Sequence, residues 1–110
     1  MTITQFKDYL VDEVFALLGD SLSVKRMFGG FGLYLDGRIF AVVLSDGQLA
    51  LKVGDNNRQD FIDTGCKQWV YEGHKNKKPT TMPYWYAPAL LFDDQLVAAE
   101  WARKSAVNSQ

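Results

Sequence analysis

The chain has 110 residues, with 12 basic and 13 acidic side chains and a net charge of −1. This length predicts one domain over residues 1–110, and the charge balance disfavours the basic face on which DNA-binding domains rely. Cys66, the single cysteine, excludes an intramolecular disulfide or a multi-cysteine metal site. Because the sequence shows no signal segment and no apolar run of ~20 residues, we expect a cytoplasmic protein without membrane association or cofactor.

The first predicted element is a helix over residues 3–19. Its apolar stripe recurs at spacings of three and four residues and comprises Phe6, Leu10, Val14, Leu17 and Leu18. Thr2 and Gln5 fit a capping box at its start, and Gly19 fits a C-terminal stop.

Four strands are predicted next, near residues 23–28, 31–35, 38–44 and 48–53. Asp36-Gly37 and Asp46-Gly47 lie between apolar runs, and each pair is typical of a type I′ hairpin turn. In the third strand, Ile39, Ala41 and Val43 alternate with Phe40, Val42 and Leu44, so both faces are apolar. That strand is therefore central and covered on both sides, or covered on one side and part of an interface on the other.

The remaining elements are a short helix, two strands and a final helix. Asp55 is the predicted N-cap of a helix over residues 56–64 that ends at Gly65, and strands follow at 66–72 and 81–87. Asp93 is the predicted cap of a helix over 94–106, and the tail from Val107 is expected to fray. The order αββββαββα, with tight hairpins, predicts an α+β fold with a mainly antiparallel sheet of about six strands and three helices.

Several segments of this sequence match, in register, the segments of one known family. The opening signature is Arg26-Met-Phe-Gly-Gly-Phe-Gly32 followed by Tyr34-Leu-Asp-Gly37. Further matches are Leu51-Lys-Val53 with Asn57, Arg58 and Phe61, then Tyr71-Glu-Gly73, Met82-Pro-Tyr-Trp85 and Glu100-Trp-Ala-Arg-Lys104. With these motifs the sequence resembles the TfoX N-terminal domain family, from about Ser23 to Arg103. Pro83 departs from it, because the family usually has a small residue there.

The resemblance implies a fold and a role. The family occurs in bacterial regulators of DNA uptake competence, and its fold is a mainly antiparallel sheet with packed helices, similar to secretion-chaperone-like folds. It therefore implies a regulatory or protein-interaction role linked to competence gene expression, and it supplies no catalytic residues. The long competence regulators carry a second, C-terminal domain, whereas this sequence resembles a stand-alone N-terminal domain.

The glycine-rich segment around Gly29 and Gly30 is predicted to be a turn or β-bulge. A phosphate loop needs glycines that open a helix, whereas the residues after Gly30 have a strand pattern. The glycines would allow Phe28 and Phe31 to pack.

The sequence does not indicate an enzyme. Its single histidine, His74, lies in a lysine-rich loop without a nearby nucleophile, and Cys66 is more typical of a small buried side chain. We therefore assign no catalytic, cofactor or metal residues.

Three kinds of binding site remain open. We favour an apolar surface that binds a protein partner or a second copy of the chain. A nucleic-acid site would combine Lys75, Lys77 and Lys78 of the loop 74–78 with the nearby aromatic residues Tyr84 and Trp85. A small-ligand site would lie near Arg26, Phe28, Gly29, Gly30 and Lys52.

Overall fold

A computed structural model describes residues 1–27, 29–71 and 80–109. They form one six-stranded antiparallel sheet in the order β1-β2-β3-β4-β6-β5. The predicted α+β class with a mainly antiparallel sheet is confirmed, and the elements follow the predicted order apart from one added helix before the last. The strands are β1 (Leu22–Met27), β2 (Gly30–Leu35), β3 (Arg38–Val43), β4 (Leu49–Lys52), β5 (Gln68–Tyr71) and β6 (Thr80–Tyr86).

The helices are shorter and more numerous than the sequence predicted. They are α1 (Ile3–Tyr9), which continues as a π-helix (Leu10–Val14) and a 3₁₀ helix (Ala16–Ser21), then α2 (Arg58–Asp63), α3 (Leu90–Asp93) and α4 (Gln95–Ala106). Helix α3 was not predicted, and Asp94 rather than Asp93 caps α4, accepting hydrogen bonds from the Leu96 and Val97 N–H groups. In the described part of the chain, no helix is both long and apolar enough to cross a membrane.

The main core lies between the sheet and the helices. Helix α4 packs across β2, β3 and β4, and the π- and 3₁₀ segments lie beside it. Phe61 of α2 contacts two tryptophans, with ring centroids 4.7 Å from Trp101 and 6.2 Å from Trp85. The helices therefore cover one face of the sheet.

The first helix does not continue as a regular α-helix to Gly19. The Phe15 N–H donates to the Leu10 carbonyl oxygen at 2.8 Å, which is the wider spacing of a π-turn. The extra residue rotates the following segment, so Phe15 is fully buried whereas Leu17, predicted to be in the core, is 47% exposed. The capping box at Thr2 and Gln5 is confirmed, and Gly19 has a φ of 55°.

A β-bulge in β3 interrupts the predicted alternation. Consecutive residues of β2 pair with Ala41 and then with Ile39, which leaves Phe40 as the extra residue. Phe40 therefore joins Ala41 in the core beneath the helices, while Ile39 faces the other side. The strict alternation over residues 39–44 was wrong at this point, although β3 is central as predicted.

The two predicted Asp-Gly turns differ. Asp36 and Gly37 both have positive φ, at 51° and 81°, as a type I′ turn requires. In the other hairpin only Gly47 has positive φ, and the Leu44 N–H donates to the Gln48 carbonyl oxygen. A type I turn followed by a glycine bulge fits this geometry, so the second type I′ prediction was wrong.

The C-terminal residues Asn108 and Ser109 are held in place, contrary to the predicted fraying. The Ser109 hydroxyl donates to the Ile39 carbonyl oxygen at 2.6 Å. Asn108 donates to the side-chain oxygen of Asn57 at 3.4 Å. Helix α2 begins at Arg58, later than predicted, because Asn57 turns its side chain into this network rather than continuing the helix.

Candidate binding face

The sheet face opposite the helices is apolar and carries no packed helix among the described residues. We call it the open face. Its cluster is centred on Val42, Ala50 and Tyr84, which are buried. The side chains packed around them are partly exposed and comprise Met27, Ile39, Leu44, Trp69, Met82 and Tyr86. Because the cluster comes from β1, β3, β4, β5, β6 and one loop, it spans the whole sheet.

Two small residues, Gly32 and Ala50, lie in the floor of this face. The strand register places Lys25, Gly32, Val42, Ala50 and Tyr86 in one row across the sheet. A Cβ atom on Gly32 would lie 2.9 Å from the Met27 Cε atom and 3.2 Å from the Ile39 Cδ1 atom. Because Gly32 has no side chain, the side chains of Met27 and Ile39 can lie over this position. The row is therefore a depression in the open face.

The β5–β6 hairpin encloses this depression from one side. Trp69 and Met82 of the hairpin line a cavity of about 210 Å³ together with Met27, Ile39, Val42, Leu44 and Tyr84. A second cavity, of about 540 Å³, lies between the hairpin and the β3–β4 loop, where Tyr71 and Asp46 also line it. Side chains of β5 and β6 therefore form walls of both cavities.

An irregularity in the β5–β6 pairing bends β6 locally. Gln68 pairs with Trp85, but Val70 pairs with Thr81, so β6 has extra residues between the two pairs. Pro83 lies in this stretch, where it has no N–H to give to the ladder. Its carbonyl oxygen accepts from the Val53 N–H at 2.9 Å. The residue that departs from the family pattern thus lies where the strand bends.

Two tyrosines on this face have perturbed hydroxyl groups. Burial raises the pKa of Tyr84 above its ordinary value, and the nearby Tyr34 adds to the effect. Burial also raises the pKa of Tyr86, with a further contribution from the Asp46 carboxylate. Both hydroxyl groups are therefore neutral at physiological pH, and they offer hydrogen bonds rather than charge.

Three charged residues lie on or beside the open face. Lys25 places its Nζ atom 5.0 Å from the centroid of the Tyr34 ring, and Lys52 pairs with Tyr84 across the β4–β6 ladder. Within the described ranges neither lysine forms a salt bridge. Asp46 adds one negative charge at the β3–β4 loop, where it accepts hydrogen bonds from the Gln48 backbone and side chain.

The small-ligand candidates do not form one cluster. Arg26 and the turn at Gly29 lie at one end of β1 and β2, and the Arg26 guanidinium carbon is 5.4 Å from the Phe31 ring centroid. Lys52 is three strands away, at the opposite end of β4. Gly29 has a φ of 77°, as expected for a turn. Gly30 packs against the backbone of β3.

The aromatic candidates Tyr84 and Trp85 lie on opposite faces of the sheet, as consecutive residues of a strand do. Tyr84 lies on the open face, with its ring centroid 6.3 Å from that of Trp69. Trp85 packs into the core beneath the helices. The predicted binding residues Phe28, Lys75, Lys77 and Lys78, together with His74, lie outside the described residues.

Sequence reasoning missed most of the open face. Met27, Ile39, Trp69 and Met82 were not among the candidate binding residues. The useful signal was the doubly apolar pattern of β3, which indicated a second apolar face. The bulge at Phe40 and the bend at Pro83 concealed which side chains it would contain.

Together, the fold and this face define a small α+β domain with one helix-covered and one open sheet face. The family profile of the TfoX N-terminal domain matches residues 13–108, most of the chain. This protein therefore belongs to the TfoX N-terminal domain family. No curated protein matches the chain closely enough to be a relative.

Proposed function

We propose that this protein is a non-enzymatic regulatory domain that acts by binding another protein through its open face, in the control of DNA transformation competence. The family supports the regulatory role, because the TfoX N-terminal domain occurs in bacterial regulators of DNA uptake competence. The observation that carries the binding role is the cluster of partly exposed Met27, Ile39, Trp69 and Met82 around an apolar cavity. Methionines and aromatic residues are typical of the centres of protein interfaces.

A second copy of the chain is an alternative partner for the same face. We propose that the protein acts in the cytoplasm and that binding at the open face needs no cofactor. Catalysis is not part of the proposal, since the single histidine, His74, has no nucleophile near it in the sequence. Turnover of hydrolase or phosphatase substrates that disappears in the His74→Ala or Cys66→Ala protein would contradict it.

Capture from a native lysate tests the protein-binding role. The immobilised chain should retain proteins after nuclease treatment, and Met82→Glu should abolish retention by placing a charge beside the cavity. The matched control is Leu96→Glu on α4, because Leu96 is 73% exposed and lies on the helix side. Retention that requires intact nucleic acid, or that is lost equally in both variants, would contradict the proposal.

Nucleic-acid binding is the alternative supported by the basic loop 74–78. A mixed-sequence oligonucleotide distinguishes it, since phosphate-driven binding weakens steeply with added salt. We expect no binding at low or moderate salt. Micromolar affinity at low salt that is lost on replacing Lys75, Lys77 and Lys78 by alanine would favour the alternative.

A further inference from the structure

We propose that the open face recognises a partner segment that carries one large apolar side chain between two acidic residues. The inference rests on the proposed function and specifies the partner's chemistry. It follows from the size of the cavity and from the position of the two lysines.

The cavity accepts one anchor side chain. Its volume is about 210 Å³, and its walls are the side chains of Met27, Ile39, Val42, Trp69 and Met82, with others from Leu44 and Tyr84. A dry apolar cavity of ~150 Å³ already holds a benzene molecule. An aromatic or branched aliphatic side chain therefore fits, whereas a charged side chain would lose its hydration without a partner.

Each lysine neighbours a residue of the cavity wall: Lys25 lies two residues from Met27 on the same face of β1, and Lys52 pairs with Tyr84 across the β4–β6 ladder. Lys25 is on β1 and Lys52 on β4, while the wall residues Ile39 and Val42 are on β3 between them. Three strand spacings separate β1 from β4, about 14 Å, and an extended peptide covers that distance in roughly four residues. An extended segment crossing the strands can thus place its anchor in the cavity and a carboxylate near each lysine.

The charges favour acidic neighbours over basic ones. Lys25 is exposed and Lys52 is half-buried, and the salt bridges among the described residues involve neither. The opposing acid, Asp46, lies at the β3–β4 loop, at the other end of β4 from Lys52. Charges at the edge of an interface select between partners more than they add affinity, so these lysines should act as specificity determinants.

Selection from a random-peptide library displayed on phage tests this proposal. With the wild-type protein we expect enrichment of peptides with an aromatic or aliphatic anchor and an acidic residue on each side. Lys25→Glu should replace one acidic preference by a basic one, and Lys52→Glu should do the same on the other side. Arg103→Glu on α4 is the matched control and should leave the selection unchanged. A synthetic peptide from the wild-type selection should lose roughly tenfold in affinity with each lysine variant.

The possible outcomes separate the two proposals. Two results would overturn this inference and leave the proposed protein-binding role intact. In the first, the selected peptides lose binding to Met82→Glu but show no acidic preference. In the second, neither lysine variant changes the selected sequences or their affinity. Peptides that bind equally well to Met82→Glu, or no enrichment over bare support, would contradict both. Thermal melts of each variant confirm that the compared proteins are folded.

Discussion

A side chain on Gly30 would overlap the carbonyl oxygen of Val43 on the neighbouring strand. Gly30 is the first residue of β2, and the adjacent residue pair of the two strands is Phe31 with Val43. The close approach of the two backbones explains why residue 30 is a glycine. Residue 29 is a glycine for another reason, its φ of 77°. The two neighbouring glycines therefore have different structural roles.

This difference predicts unequal costs of substitution. Gly30→Ala should lower the free energy of unfolding by about 3 kcal/mol, because the β2–β3 backbones must separate to admit the methyl group. Gly29→Ala should cost only about 1–2 kcal/mol, the strain of a left-handed backbone, since its Cβ atom would lie 3.5 Å from that of Ser45. Urea denaturation measures both. Equal stability of the two variants would refute the assignment.

The π-turn predicts which side chain of the first helix matters. Phe15→Ala should cost about 3–5 kcal/mol, because Phe15 is fully buried and packs edge-on against Phe40 at 5.2 Å. Leu17→Ala should cost only about 0.5 kcal/mol, as is usual for a surface position. A regular α-helix through residue 17 predicts a larger effect at Leu17, so denaturation of the two variants distinguishes the geometries.

The Asn57 network predicts a buried polar position that stabilises the fold. Asn57 accepts from the Gly54 N–H at 2.9 Å and donates to the Lys52 carbonyl oxygen at 3.1 Å and to Ser105 at 3.3 Å. Asn57→Ala should cost about 2–3 kcal/mol, since it leaves buried partners unsatisfied. The control Asn56→Ala removes one exposed hydrogen bond, to the Lys104 carbonyl oxygen, and should cost about 1 kcal/mol or less. Similar losses of unfolding free energy in the two variants would show that burial of the Asn57 network does not contribute to stability.

The sequence predicted the order of elements well because local patterns determine them. Gly65 and Asp36-Gly37 have the positive φ values expected at a helix end and a hairpin turn. The errors arose where an inserted residue changed the phase, at Phe15 in the first helix and at Phe40 in β3. Both insertions depend on packing between distant segments, and periodicity within a short window does not contain that information.

The candidate site was less predictable for the same reason. Single residues such as Tyr84 were found, but its partners on the open face come from five strands and a loop. Met27 and Met82 are far apart in sequence, on β1 and β6, and only the tertiary fold brings them to one cavity. Charge and aromatic content directed attention to the loop 74–78, which lies outside the described residues.

The raised pKa of Tyr84 predicts a loss of stability at alkaline pH. Its folded-state pKa lies above the unfolded value of about 10. The unfolded state therefore releases the proton more readily as pH rises, and stability falls above about pH 10. Melting temperatures from pH 8 to 11 should decline less steeply for Tyr84→Phe than for the wild type. Parallel declines would show that the Tyr84 hydroxyl group does not contribute.

Side-chain footprinting of the chain with a captured partner tests the central claim most directly. Hydroxyl-radical oxidation of Met82, Met27 and Trp69 should fall when the partner binds, because these side chains surround the cavity of the open face. Oxidation of Leu17 and Leu96, exposed on the helix side, should not change. Protection of Leu17 and Leu96, with Met82 and Trp69 oxidised as in the free protein, would contradict the account.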